Sequence, residues 1–276
     1  MSADSIAQAL GLRRAGQEWH GQCPVCHYKA GFTITEKDGK LLARCHTGGC
    51  DWNSILDVLR KRGLVEESRQ SNDPPWRRTW DAATSIERPN RYSTMGASYF
   101  RKRGITIPLP DVLRFDHDCW NTETGRKIPA VIARVDREGV GMCGVHRIYL
   151  SDDCTKAALE KPKMALGPVG GGAVRLAPIT EDGKVAVAEG IETALSYTQL
   201  TGRPCWSGVA AVGIEHLILP DAVRFVCIAV DNDEPGKLAA TKAARRWHHE
   251  GREVWFDAPP SEFNDFNDAL QARGVA

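Results

Sequence analysis

The stretch that most constrains the fold is VRFVCIAVDNDEPG, residues 223–236. Its apolar core, residues 225–230, runs unbroken and stops on Asp231 and Asp233. A strand exposed on one face alternates apolar and polar residues, whereas one that is apolar throughout is buried on both faces, as in a parallel sheet covered by helices. The two carboxylates leave this strand at its carboxyl end, the edge at which open parallel sheets bind ligands. Held close together they repel, and a divalent cation relieves that repulsion. Pro235 and Gly236 then turn the chain into a helix starting near Lys237, so helix capping is the competing structural explanation for the two aspartates.

The surrounding residues extend the pattern. A turn at Asp182-Gly183 precedes KVAVAEGIETALS, in which the strand 185–188 ends on Glu189 and Gly190 and a helix carrying Glu192 follows. WSGVAAVGI and residues 252–256 supply further strands, and helices are expected near 193–201 and 237–250. This alternation predicts a doubly wound α/β fold with a small parallel sheet. FNDFNDAL then places Asp265 and Asp268 beyond the last strand. Acidic residues thus follow three strands: Glu189, then Asp231 with Asp233, then Asp265. Any one of them suits a helix cap. All of them at one edge repel without compensation unless cations sit among them.

The N-terminal part has a different logic. Residues 1–18 read as a short helix, SIAQALGL, with a polar end. Cys23 and Cys26 form a C-x-x-C knuckle, and Cys45 and Cys50 a wider one containing two glycines. Between the knuckles GFTIT and LLARC read as strands joined at Asp38-Gly39, a strong hairpin signal. A two-stranded hairpin is marginal alone in water, and zinc in a small thiolate site contributes about 10 to 16 kcal/mol. Cys23, Cys26, Cys45 and Cys50 are the expected ligands, with His27 and His46 each adjoining a cysteine and His46 able to replace Cys45 or Cys50. Four protein ligands leave no open position, so the site is expected to be structural. A helix over 51–63 packs back on the hairpin through Ile55, Leu56, Val58 and Leu59. Trp19, Tyr28, Lys29, Phe32 and Arg44 either form the module's small core or a stacking and basic surface for single-stranded nucleic acid.

Residues 65–92 are polar, carry three prolines and mark the expected linker, with Trp76 and Trp80 docking on a neighbouring domain. The expected division is 1–64, a zinc-binding module; 65–92, the linker; 93–177, a basic segment; and 178–276, the parallel-sheet region. In the basic segment a helix from Ser93 closes at Gly104, and IPAVIARVD and VGMCGVHRIYL are alternating strands around a turn at 137–139. Residues 170–172 are three glycines flanked by Lys161, Lys163 and Arg175. They match neither of the common phosphate-loop spacings and are expected to be a flexible turn. Residues 91–177 hold 14 Lys and Arg against 9 Asp and Glu, while 178–276 hold 9 against 15. That polarity suits a polyanion over the middle and metal ions at the acidic end. With 42% hydrophobic and 26% charged residues, no apolar run of membrane-spanning length and no secretory leader, the chain is expected to be soluble and cytoplasmic. Four of the nine cysteines cluster at metal-ligand spacing, which argues against a disulfide scaffold.

The A-E-G of residues 188–190 followed by the D-x-D-x-x-G of residues 231–236 resembles the Toprim domain shared by bacterial-type primases, topoisomerases and some nucleases. With a cysteine zinc ribbon in front and a basic segment between, nearly the whole chain resembles the DnaG-like primases of bacteria, phages and plasmids. The resemblance implies a DNA primase that makes short RNA primers on single-stranded DNA from nucleoside triphosphates, by metal-dependent nucleotidyl transfer. Carried onto this sequence, it implies that Glu189, Asp231 and Asp233 bind Mg²⁺ or Mn²⁺ and that Asp265 stands in the third acidic motif. Glu192 occupies a place where the family often has Asp, and the Cys45–Cys50 spacing is wider than the family's usual closing pair. Arg147, Lys161 and Lys163 are the candidates for holding nucleotide and template. A separate replicative helicase is an implied partner, since the chain has no Walker lysine motif. A Toprim nuclease, or a zinc-ribbon single-strand binder without catalysis, are the alternative readings. A topoisomerase is disfavoured, because Tyr92, Tyr99, Tyr149 and Tyr197 all have ordinary packing or turn explanations.

Overall fold

A computed structural model describes residues 3–37, 40–46, 50, 52–64, 73–86 and 93–273. The chain divides into two compact units, residues 1–72 and 73–276. The turn expected at Asp38-Gly39 and the polar stretches 65–72 and 87–92 lie outside the described residues.

The first unit contains α1 (Ala3–Ala9), β1 (Arg13–Ala15), β2 (Glu18–Gly21), β3 (Phe32–Lys37), β4 (Lys40–Cys45) and α2 (Trp52–Lys61). The hairpin expected from GFTIT and LLARC is β3 paired with β4, in register from Phe32↔Cys45 to Lys37↔Lys40. It forms one half of an antiparallel sheet ordered β1-β2-β3-β4, with β4 at the edge. The segment 1–18 reads as the short helix SIAQALGL with a polar end, and in and just beyond that polar end stand β1 and β2. Those strands are short, and every residue of β1 is exposed, so they carry no apolar alternation to betray them. Gly16, at φ +65°, makes the tight turn between them. Phe32 and Ile34 are buried between Ile6 and Ala7 of α1 and Ile55 and Leu59 of α2. Phe32 therefore belongs to the core and is unavailable for stacking.

The second unit begins with α3 (Pro75–Ala82), β5 (Thr84–Ser85) and α4 (Ser93–Lys102) and continues through β6 (Leu113–Asn121), β7 (Arg126–Arg137), β8 (Gly141–Tyr149) and β9 (Lys163–Leu166). These strands form an antiparallel sheet in sequence order, β5 to β9. The stretch that reads as a linker thus contains an ordered helix, started by Pro75 in its first turn, where a missing N–H costs nothing. Trp80 is buried against Ala130, Ile132, Val145 and Tyr149. The Arg114 guanidinium lies 4.0 Å from the Trp80 ring centroid. Trp76 packs on Gly167 so closely that a Cβ there would meet its ring at 2.5 Å. Both tryptophans dock, as expected, and the helix between them docks with them.

The parallel region consists of β10 (Lys184–Ala188), α5 (Ile191–Thr201), β11 (Cys205–Ser207), α6 (Ala211–His216), β12 (Phe225–Ala229), α7 (Glu234–His249), β13 (Glu253–Asp257) and α8 (Phe266–Arg273). Its sheet is ordered β11-β10-β12-β13, all parallel. Both faces are buried, which is why β12 reads as an unbroken apolar run: Cys227 and Ala229 pack with Tyr197 and Phe266 on one side, and Val226 and Ile228 with Trp206 and Trp247 on the other. WSGVAAVGI is a strand only up to Ser207. Beyond it the chain becomes α6, packed so tightly on the strand end that a Cβ at Gly213 would lie 1.8 Å from the Gly208 carbonyl oxygen.

Residues 173 and 174 tie the two sheets together. Ala173 exchanges two 2.9 Å backbone hydrogen bonds with Asp136 of β7, and Val174 exchanges bonds of 2.9 and 3.0 Å with Ser207 of β11. The three glycines before them are held rather than loose. Ile218 donates to the Gly171 carbonyl at 3.0 Å and Arg137 to the Gly170 carbonyl at 3.2 Å, and a Cβ at Gly172 would clash with Val135 at 2.8 Å. Glycine serves close approach here. Among the described residues, no helix is long and apolar enough to cross a membrane.

Candidate functional site

Two clusters of ligand-type side chains stand out, one in each unit. In the first unit the Sγ atoms of Cys23, Cys26, Cys45 and Cys50 all lie within 4.8 Å of one another. Cys23 and Cys50 are 4.0 Å apart, and Cys26 and Cys45 3.7 Å. A tetrahedral ion with metal–sulfur bonds of about 2.3 Å sets its sulfurs about 3.8 Å apart, so the four thiols have the dimensions of a zinc site. Burial and then the neighbouring thiols push the Cys50 thiol up to about 12, and burial raises Cys23. Four such groups ionise together only around a cation. The sequence left open whether His46 replaces a cysteine. Its Nε2 instead sits 3.0 Å from the Thr33 hydroxyl, while the cysteines complete the quartet. His27 turns the first knuckle, with its N–H donating to the Cys23 carbonyl at 3.0 Å and φ at +59°.

In the second unit the parallel strands end level, with Ala188, Ala229 and Asp257 in register. Glu189 follows the first, and Asp231 and Asp233 the second. Asp265 is drawn in by Asn232, whose N–H donates to the Asn264 carbonyl at 2.7 Å and whose side-chain amide donates to the Phe263 carbonyl at 2.8 Å. Asn232, the middle residue of the D-x-D spacing, thus fastens the 259–264 loop across the end of β12. Glu189 is held through its backbone, by the Ser207 hydroxyl at 2.8 Å.

Asp231 is the most perturbed of these acids. Burial and then the charges of Glu189, Asp265 and Asp233 push its carboxyl up to about 7, against a smaller opposing effect of Lys163. Its Oδ1 is buried with no hydrogen-bond partner among the described residues. Asp233 caps α7, accepting from the Gly236 N–H at 2.7 Å through Oδ1. Asp265 caps α8 through the Asp268 N–H at 2.8 Å, and its other oxygen lies 3.5 Å from the Thr193 hydroxyl. Capping is therefore true of both Asp233 and Asp265, but it uses one oxygen of each and accounts for neither Glu189 nor Asp231. Asp268 is exposed in the first turn of α8. The acidic oxygens do not close into one tight shell as the thiols do. An orphaned buried oxygen among repelling carboxylates fits a hard divalent cation that keeps part of its water shell.

The cationic candidates separate. Lys163, on β9, reaches this edge: its Nζ donates to Glu192 Oε2 at 3.0 Å and lies 3.9 Å from where a Cβ on Gly190 would stand. Lys161 is exposed ahead of β9. Arg147 alternates with His146 along β8 and faces the other side of the sheet, where it is buried over Tyr149 and donates to the Trp120 carbonyl at 3.2 Å and the Ala165 carbonyl at 3.4 Å. Its role there is to satisfy strand-end carbonyls, so Arg147 is not brought to the acids. In its place the structure brings Lys156, 3.6 Å from Glu192 Oε1. It sits in a polar turn that gave the sequence no reason to single it out. Glu192 is buried and also accepts from the Tyr99 hydroxyl at 2.5 Å.

Residues 70–176 match a family model described as a domain of unknown function (DUF7146), and residues 184–276 match the Toprim domain. No curated protein matches the sequence. Among solved structures, the chain is similar to the zinc-binding and RNA polymerase domains of the Aquifex aeolicus primase, with 16% identity, 99% of this chain and 83% of that one covered, and a TM-score of 0.50. A DNA primase domain from Pseudomonas aeruginosa has 15% identity over 71% of this chain and 73% of its own, with a TM-score of 0.46. The primase fragment of the bacteriophage T7 primase-helicase protein has 15% identity over 92% and 94%, with a TM-score of 0.45. The chain thus carries a Toprim domain behind a four-cysteine module, and its fold is similar to that of the Aquifex primase.

Proposed function

We propose that this chain is a DNA primase, synthesising short RNA primers on single-stranded DNA from nucleoside triphosphates. The observation that carries the reading is Asp231. A half-buried carboxyl with one buried, orphaned oxygen, raised to about 7 by burial and by three neighbouring acids, is a costly arrangement unless cations are its working partners. Glu189, Asp231 and Asp233 would hold Mg²⁺ or Mn²⁺, with Asp265 beside them. When bound, such ions supply charge neutralisation for the triphosphate and lower the pKa of the attacking 3′-hydroxyl. The protein's own part is to hold these carboxylates at one rigid strand edge and to place Lys163 across from them. The four cysteines would hold zinc as a structural ion, and the module of residues 1–64 would present the template. A separate replicative helicase is the proposed partner.

The test is the full chain incubated with labelled ribonucleoside triphosphates, single-stranded DNA and Mg²⁺ or Mn²⁺. Oligoribonucleotide products are expected, and the Asp231→Asn, Asp233→Asn double variant is expected to lose at least about a hundredfold in rate. Degradation of the template without nucleotides would make the chain a nuclease instead. Wild-type synthesis by the double variant would remove the acids from the reaction.

A further inference from the structure

The parallel sheet is covered by α5 and α8 on one face and by α6 and α7 on the other, and the first cover is incomplete. The strand register lines up Cys205, Ala186, Cys227 and Trp255 as one row across all four strands. Their face is the one under α5, where Ala188 and Ala229, two residues further along, pack with Tyr197 and Phe266. Helix α5 ends at Thr201, and Gly202, at φ +71°, turns the chain through Arg203 and Pro204 into β11. Where the helix stops, a cavity of about 180 Å³ remains over the sheet, lined by Ala186, Cys227, Trp255, Pro204 and Arg203, with Thr180 and Lys184 also on its wall. The acids leave the opposite ends of these strands, so the cavity is separate from the site described above.

The polar groups around it are not equally available. Lys184 Nζ is paired with Asp182 at 2.7 Å and lies over the Phe225 ring, and the Thr180 hydroxyl donates to Asp182 at 2.6 Å. Arg203 is different. Its Nη1 donates to the Tyr197 hydroxyl at 3.3 Å and lies 3.7 Å from the Asp257 carboxylate. Its Nε and Nη2 have no hydrogen-bond partner among the described residues, and the side chain is 58% exposed. That unused edge carries two parallel N–H groups at the spacing of a carboxylate's oxygens. Size sets the rest. A cavity of about 150 Å³ accepts benzene, so this one takes a single aromatic ring with a short substituent. It is smaller than the roughly 300 to 1,000 Å³ of sites for larger ligands, which excludes a whole nucleotide.

We infer that this cavity is a binding site for a small monocyclic aromatic carboxylate of the benzoate class. The ring lies against Trp255 and Pro204 over the apolar floor of Ala186 and Cys227, where an aromatic neighbour adds to simple burial. The carboxylate takes the Nε–Nη2 edge of Arg203. Tyr197 steadies that guanidinium from behind, since its hydroxyl accepts from Nη1 while donating to Asp257 at 3.1 Å. The inference does not depend on the primase reading, because no residue of the acid edge takes part.

The test titrates the full-length protein with 4-fluorobenzoate and reads binding from the fluorine NMR signal of the ligand. A dissociation constant on the order of 1 mM is expected, the range of a small fragment in a preformed pocket. The neutral isostere 4-fluorobenzamide is expected to bind about tenfold more weakly, for want of the charge-assisted pair. Arg203→Gln alters an exposed position that folding tolerates; it should weaken the benzoate about tenfold and leave the amide unchanged. Ala186→Val fills the floor and should remove binding of both. The affinity of the benzoate is expected to be the same with and without Mg²⁺. Absence of binding up to about 10 mM would overturn the inference, and so would equal affinity of wild type and Arg203→Gln for the benzoate. A benzoate affinity that changes with Mg²⁺ would place the ligand at the acids and overturn it as well.

Discussion

The thiols of the first unit and the carboxylates of the second are both ligand sets delivered by loops at strand ends, and they differ in closure. The four sulfurs lie within 4.8 Å of one another and leave no room for a fifth partner. The acids are spread wider, two of them already cap helices, and one buried oxygen is left with nothing. A closed shell holds an ion as part of the fold. An open one holds an ion that must also meet a substrate. The difference was present in the sequence as residue type, soft sulfur against hard oxygen, before any geometry was known.

The largest expected break in this comparison comes from removing the ion from the closed site. A zinc-selective chelator, or Cys50→Ala, is expected to abolish the cooperative unfolding transition of residues 1–72, because about 10 to 16 kcal/mol of ion binding is lost from a small core. The transition of residues 73–276 is expected to stay in place, which calorimetry reads directly. A single unit-wide collapse would mean that the two sites are not independent.

Asp265→Asn tests the open site more gently. Asparagine caps a helix as well as aspartate, so α8 should survive while primer synthesis falls about thirtyfold, the loss of one charge among the acids. Comparable activity would reduce Asp265 to its capping role.

Smaller again is the effect of Asp231 on stability. Its folded carboxyl is raised to about 7 from an ordinary 3.8, so between those values the folded protein binds more protons than the unfolded one. Stability in EDTA therefore falls as pH rises through that window. Asp231→Asn removes the dependence and is expected to gain on the order of 2 kcal/mol at pH 8, discounted for partial exposure, or about 5 °C in the melting temperature of the second unit. Mg²⁺ should raise the melting temperature of wild type and not of the variant. At the small end, His46→Ala is expected to keep one zinc per chain by mass spectrometry and to change stability by less than about 0.5 kcal/mol. A loss of zinc would reopen the ligand set that the sulfur geometry closes.

What was legible in the sequence follows the same division between strong local chemistry and weak. The four cysteines, the hairpin between them, and the apolar runs of β10 and β12 ending on acids all carried signals that depend on residue type and short spacing. β1 and β2 carried none, being short and polar, and α6 was hidden because VAAVGI is apolar enough to suit either a strand or a helix. Helix α3 was masked by its own start: prolines mark a linker in composition, but Pro75 sits where helices accept it. At the site, the acids were found because carboxylates are repeated at strand ends. Lys156, Asn232 and Tyr99 were not, because each acts through a partner far along the chain. Arg147 was singled out for its charge, and what it needed was a set of buried carbonyls to satisfy.

The two-residue link at Ala173 and Val174 has a consequence for how this chain can vary. Ala173 is bonded to the antiparallel sheet and Val174 to the parallel one, and Ser207, the partner of Val174, also grips the backbone of Glu189. The separation between the lysines on one sheet and the acids on the other is therefore gauged by backbone bonds one residue apart. Side chains around the cleft can be exchanged within that gauge. An inserted or deleted residue between positions 173 and 174 would not merely loosen the cleft, since it would reset the spacing between its positive and negative walls, so length at this point should be held more strictly than identity.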